Sequence, residues 1–320
     1  TTLGLIGTFG TAGTKSVISN VTVKNLSLTM TKTPQYVGAI VGKVYSSTSG
    51  DNRVLITQCN IDDVKFALQD NTSPEADRYL GLVAGYTDGE ATNITVQDST
   101  INYNANSGFK KAYIGGAFGY ATTLQICSIL NTSISGTPGE GDATSVYMGG
   151  IAGQLYNNNS TDENISECIV NKLSITNPYN RETSYTGGLF GYSSNAMIQS
   201  TCKIIGGTIT GTYNTGGMVG YAFGGYIEGS HQNTNLFNTS AFATDMWQIA
   251  SFNGTGTTED QNYNTDYYSA NNLSNSVSYD ANTETFTFNA PDQACLGYGL
   301  LKPIASSTTT QDPEFQTQYY

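Results

Sequence analysis

Apolar and polar positions along this chain recur as a block. Two apolar or small residues framed by glycine or a small residue appear seven times: Gly4-Leu5-Ile6-Gly7, Ala39-Ile40-Val41-Gly42, Leu82-Val83-Ala84-Gly85-Tyr86, Gly116-Ala117-Phe118-Gly119-Tyr120, Gly150-Ile151-Ala152-Gly153, Gly188-Leu189-Phe190-Gly191-Tyr192 and Gly217-Met218-Val219-Gly220-Tyr221. The closing glycines at 7, 42, 85, 119, 153, 191 and 220 are spaced as in stacked repeat architectures. Behind the blocks come alternating stretches: Ile18-Ser-Asn-Val21-Thr-Val23, Ile56-Thr-Gln-Cys59-Asn-Ile61, Leu124-Gln-Ile-Cys127-Ser-Ile129, Ile165-Ser-Glu-Cys168-Ile-Val170 and Ile198-Gln-Ser-Thr-Cys202-Lys-Ile204. Alternation with period two is the signature of a half-buried strand. Each unit is therefore two or three short strands joined by turns rich in Gly, Asn, Ser and Thr. One unit cannot bury its own apolar face, whereas copies stacked about 4.8 Å apart pair each strand with its equivalents. The pattern predicts an all-β chain: a parallel β-helix or β-solenoid of about seven turns over residues 1–239, then a non-repetitive, mostly β C-terminal segment over 240–320 that caps or docks.

Neighbouring residues of a strand face opposite sides, yet both central positions of the block are apolar. One reading is scattered apolar surface. The other is that the outward face, with a column of Tyr86, Tyr120, Tyr192 and Tyr221 or its partner column, is covered by the tail or by a neighbouring molecule. Four cysteines share one position of the repeat, so Val21, Cys59, Val96, Cys127, Cys168 and Cys202 form an expected interior ladder of small side chains with free thiols. The competing reading bridges Cys127 to Cys168 or Cys168 to Cys202; directly stacked side chains diverge from the required geometry. His231 falls on the same column, but two ligands do not make a metal site, and Cys295 lies outside it.

The chain starts inside a strand motif. The stretch Thr1-Thr2-Leu3-Gly4-Leu5-Ile6-Gly7-Thr8-Phe9 is therefore an edge that upstream sequence or another subunit is expected to cover. Connections at 66–78 and 156–164 read as insertions carrying contacts or glycans. Thr244-Asp245 before Met246-Trp247-Gln248-Ile249 predicts one short helix, and Val277 to Tyr279 with Thr285 to Phe288 predicts a hairpin.

The glycine block followed by a turn and Ile-x-x-Cys resembles the GLUG-motif repeats, over roughly residues 3 to 235. Departures are Ala39 and Leu82 in place of the second glycine, and Lys43 or Gln154 in place of the aromatic. Such proteins are typically large, secreted or surface-attached bacterial proteins, often adhesin-like, some with a zinc peptidase domain. The resemblance implies repeat architecture and an extracellular or cell-surface location.

Composition narrows the options. A formal net charge of −12 with 13 Lys and Arg makes nucleic acid and anionic membranes poor partners. No apolar run is long enough for a membrane span, and Thr1 in place of Met suggests a processed product. Eleven Asn-x-Ser/Thr sequons, at Asn20, Asn25, Asn71, Asn93, Asn131, Asn158, Asn159, Asn164, Asn238, Asn253 and Asn272, only mildly exceed random occurrence and are glycosylation candidates. No His-Glu-x-x-His occurs, and a single histidine leaves no triad to build. The acidic groups Asp62-Asp63, Asp88-Gly-Glu90 and Glu140-Gly-Asp142 lie in or near turns, where solvated loops are the ordinary outcome.

The sequence thus points to a non-enzymatic, cofactor-free extracellular structural protein that assembles with itself, head to tail, through solenoid ends and tail into a filament or surface layer. The alternative is a monomeric adhesin module whose loops and tyrosine columns bind a glycan or protein. A β-helix polysaccharide-active enzyme ranks below both.

Overall fold

The computed structural model describes residues 1–11, 14–46, 53–70, 76–105, 111–139, 145–156, 164–179, 181, 183–199, 201–211, 215–216, 218–227, 246–247, 251–252, 277–280 and 285–288. They form an all-β parallel solenoid.

Every glycine block is a bend between two walls. The first wall stacks Thr2–Leu3, Tyr36–Val37, Arg78–Gly81, Lys111–Gly115, Ser145–Gly149, Tyr185–Gly187, Thr215–Gly216 and Met246–Trp247. The second stacks Ile6–Phe9, Val41–Val44, Ala84–Thr87, Phe118–Ala121, Ala152–Tyr156, Phe190–Ile198, Val219–Ile227 and Ser251–Phe252. Of the two adjacent apolar residues, the first sits on the bend and the second opens the second wall. The turning backbone points both inward, so Ile40 and Val41, Leu189 and Phe190, and Met218 and Val219 are all buried. Neither position therefore needs cover from outside. The bends stack as the strands do: the amides of Val83, Ala117, Ile151 and Leu189 donate to the bend carbonyls of Ala117, Ile151, Leu189 and Met218.

The closing glycine is fixed by contact between walls. A Cβ at Gly119 would lie 2.4 Å from the Leu80 amide nitrogen, and one at Gly153 2.3 Å from that of Ile114. The second wall folds over the first closely enough that only a hydrogen fits between the backbones.

The third wall has two legs. Ser16–Ser19, Val54–Asp62, Glu90–Gln97, Thr123–Leu130 and Ile169–Asn177 stack as one, and Ser27–Met30, Lys65–Asp70, Thr100–Ala105 and Ser133–Pro138 as the other, joined through Ile169–Asn177. Two columns of positive-φ residues bend the chain, Asn20, Gln58, Asn93, Ile126 and Glu167 at one corner and Asn25, Asp63, Asp98, Asn131 and Lys172 at the other. Asn and Asp tolerate this left-handed region better than other residues with a side chain.

The first leg has five rungs, so the regular three-walled body holds about five turns, fewer than the seven motif copies. Lys203–Gly211 extends the wall on Ile169–Asn177, and Thr285–Phe288 then pairs with it antiparallel. The partner of Thr285–Phe288 in the hairpin is Val277–Asp280. An antiparallel strand interrupts the parallel stacking, which is why the third wall ends there. Two sequence expectations are corrected. Lys65–Asp70 is a wall strand, so the connection from 66 to 78 is shorter than expected. Met246–Trp247 is no helix: it pairs in parallel with Thr215–Gly216 and continues the first wall.

Val37, Leu80, Ile114 and Met148 from the first wall meet Ile56, Ile61, Ile94 and Ile129 from the third in one continuous buried cluster.

Candidate functional site: the first rung, the thiol column and the tyrosine columns

Strand register places the cysteines. Val21, Cys59, Cys127, Cys168 and Cys202 occupy one column, but its member in the third turn is Ile94, which pairs with Cys59 and Cys127. Val96 pairs with Ile61 and Ile129. The expectation slipped by two residues, which period-two alternation cannot detect because the face is preserved. All four cysteines are buried and free. Hydrogen bonding with Cys127, together with burial, pushes the Cys168 thiol well up, and burial does the same for Cys202. A thiol held protonated is a poor nucleophile and a poor metal ligand. Among the described residues no group of three or more His, Cys, Asp or Glu side chains is placed to hold a metal. His231, Cys295 and the 140–142 acidic group lie outside the described residues.

Four sequons have a structural origin. Asn20, Asn25, Asn93 and Asn131 stand at the left-handed corners, and the strand that follows turns one residue inward and the next outward. An inward Val21 and outward Thr22, or an inward Ile94 and outward Thr95, writes Asn-x-Thr as a consequence of the bend. These four asparagines are exposed, and the Asn131 side-chain amide donates to Asp98 at 2.6 Å. Asn164 begins the short strand Asn164–Ile165 on the second wall. Asn71, Asn158, Asn159, Asn238, Asn253 and Asn272 lie outside the described residues.

The first rung is packed on one side. Thr2–Leu3 and Ile6–Phe9 pair with Tyr36–Val37 and Val41–Val44 in the same register as later turns. Leu5 is 70% exposed, whereas Ile40, one rung on, is 1% exposed. Val17, in the first strand of the third wall, is 47% exposed. Gly7 is the closing glycine of this turn, yet a Cβ there would meet only the Thr2 hydroxyl, at 3.1 Å. The backbone that forbids a side chain at Gly119 and Gly153 has no counterpart in front of Gly7.

Nine tyrosines form two columns where the first and second walls meet. The first wall supplies Tyr36, Tyr79, Tyr113, Tyr147 and Tyr185, with successive ring centroids 5.2, 4.8, 4.8 and 4.6 Å apart. The second supplies Tyr86 and Tyr120, stacked at 4.4 Å, and Tyr192 and Tyr221, stacked at 5.5 Å. Cross-contacts such as Tyr79 to Tyr86 at 5.4 Å and Tyr185 to Tyr221 at 4.8 Å knit the columns together. The ring faces of these tyrosines are largely taken by adjacent rings. Lys43 replaces the tyrosine in its turn, and its ammonium lies 4.6, 4.2 and 5.0 Å from the centroids of Tyr36, Tyr45 and Tyr86. Burial would lower the Lys43 pKa, but hydrogen bonds with Tyr45 and Tyr36 outweigh it and hold the group above its ordinary value. Burial is the main cause that pushes every resolved phenol of the array up, Tyr185 to about 12.

The acidic groups are engaged. Asp62 pairs with Lys24 at 2.8 Å and accepts from Gln97 at 3.0 Å, which together hold it below the usual carboxylate range. Asp63 pairs with Lys65 at 2.6 Å. Asp88 is hydrogen-bonded to Tyr86, with burial pushing its pKa up.

Stacked walls, corner columns and in-register ladders define the class: a parallel β-solenoid. No protein-family model matches the chain, and neither a curated protein nor a solved structure matches it.

Proposed function

We propose that this is an extracellular or cell-surface structural protein whose solenoids join end to end into a filament or surface layer, without a cofactor and without catalysis. The observation that carries the reading is the in-register parallel stacking of the first and second walls: each rung pairs with the next in the same direction, so a rung of another copy can pair with an end rung in the same way. Fully covering Leu5 is worth about 1.5–3 kcal/mol, and a strand edge is a template for pairing with another chain. Among the described residues the last rungs of the first and second walls are Met246–Trp247 and Ser251–Phe252, and they supply the complementary surface in this reading. A contact between two different ends does not close, so it propagates. The resemblance to GLUG repeats, the low charge density and the Thr, Ser, Asn and Gly content fit a secreted location. No observation favours the adhesin reading through the tyrosines, because a sugar would need open ring faces.

Electron microscopy of the purified chain tests the proposal. Filaments that Leu5→Asp converts to single rods, with an unchanged far-ultraviolet spectrum, are the expected result. Wild-type rods that stay separate at every concentration overturn it.

A further inference from the structure

We infer that Tyr86 and Tyr120 form a modification site at which a one-electron oxidant joins two successive turns through a carbon–carbon bond between the rings. The inference stands apart from the assembly proposal.

Three observations carry it. Tyr86 and Tyr120 are register partners in a parallel pair of strands, so like atoms of the two rings face one another. Their centroids are 4.4 Å apart and their planes 7° from parallel, the tightest approach in the array. The Asp88 carboxylate lies against the Tyr86 hydroxyl and offers the pair a proton acceptor. A phenol that loses an electron must shed its proton, so oxidation settles where a base is in contact. Tyr36 and Tyr79 touch Tyr86 at 5.8 and 5.4 Å, and a radical formed on either can pass to it. Both Tyr86 and Tyr120 are half-buried, so oxidant reaches the pair from solvent.

The chemistry balances with two equivalents of a one-electron oxidant, such as a peroxidase working with hydrogen peroxide. Each ring gives up one electron and its phenolic proton, the Tyr86 proton to Asp88 and on to water, the Tyr120 proton to water. The two phenoxyl radicals pair their electrons in a bond between the carbons ortho to oxygen. Each of those carbons then loses its hydrogen as a proton while the oxygen regains one, restoring two phenols. The net loss is two hydrogen atoms, and the product is a covalent staple between the third and fourth copies of the repeat.

The test uses the whole chain, dilute, photo-oxidised with tris-bipyridyl ruthenium and persulfate, and read by bis-phenol fluorescence, intact mass and peptide mapping. The expected result is a monomer lighter by two hydrogens with Tyr86 and Tyr120 in one cross-linked peptide pair. Tyr120→Phe, which keeps the ring, should abolish that pair, and Asp88→Asn should slow its formation severalfold. Coupling mainly at other pairs or between molecules, oxygenation without coupling, or an unchanged rate in Asp88→Asn would each overturn the inference.

Discussion

Replacing Gly153 by alanine places a methyl carbon 2.3 Å from the Ile114 nitrogen, 2.7 Å from the Tyr113 carbonyl carbon and 2.8 Å from the Tyr147 oxygen. All three are backbone atoms held in paired strands, so no side chain can rotate away and the two walls must separate. Overpacking a core typically costs about 1–3 kcal/mol, and a clash with backbone on every side belongs at the upper end. A loss of about 3 kcal/mol moves the thermal midpoint by roughly 6–12 °C for a body of this size. Gly7 is the internal control. It holds the same motif position, but a Cβ there meets only the Thr2 hydroxyl at 3.1 Å, and Gly→Ala at an unstrained site stabilises by about 0.4–1 kcal/mol. Urea unfolding followed by far-ultraviolet circular dichroism should therefore show Gly153→Ala strongly destabilised and Gly7→Ala within about 1 kcal/mol of the parent. Equal losses at both positions would refute wall-on-wall contact as the reason for the glycine.

Other outcomes follow from single sites. Asp70 is fully buried and bound by Arg78 through Nε at 2.7 Å and Nη2 at 3.3 Å. Arg78→Met should thus cost about 3–5 kcal/mol, and Asp70→Asn in the same chain should recover part of it; a small loss for Arg78→Met alone would mean that the carboxylate finds water. Ile126 is 41% exposed and sits at φ 54°, where a β-branched residue is strained, so Ile126→Gly should gain about 1 kcal/mol in the same urea assay. Because burial holds the folded phenols above the ordinary tyrosine range near 10, their contribution to stability is complete below about pH 10 and is lost as pH rises through the folded values. Phenolate absorbance should consequently appear together with unfolding rather than ahead of it. Cys59, Cys127, Cys168 and Cys202 should resist a thiol reagent until the chain is unfolded, and rapid labelling of any of them in the native protein would contradict the column.

The walls were legible because bends such as those at Gly85, Gly119, Gly153 and Gly191 carry a glycine that contact between backbones enforces. The second leg of the third wall was harder to see. Its alternation, Phe66 with Leu68 and Ile101 with Tyr103, is present, but Asn25 and Asn131 before it read as sequons and Asp63 as part of an acidic turn, when together with Asp98 they are the left-handed corner itself. The first tyrosine column also left a signal: Tyr36, Tyr79, Tyr113, Tyr147 and Tyr185 each stand two residues before the glycine ending their wall. Its meaning depends on which rings face each other across a bend, which linear spacing does not encode. Met246–Trp247 looked helical because a two-residue strand has no period of its own, and only pairing with Thr215–Gly216 defines it.

End-to-end joining makes one demand on Gly7: in a filament, the first-wall backbone of the preceding copy would occupy the place that the Leu80 backbone takes beside Gly119. Sedimentation velocity of Gly7→Ala across a concentration series reads that demand directly. Weakened or abolished assembly with monomer stability unchanged is the predicted result. Assembly identical to that of the parent chain would show that nothing abuts this glycine, and the proposed contact would be wrong.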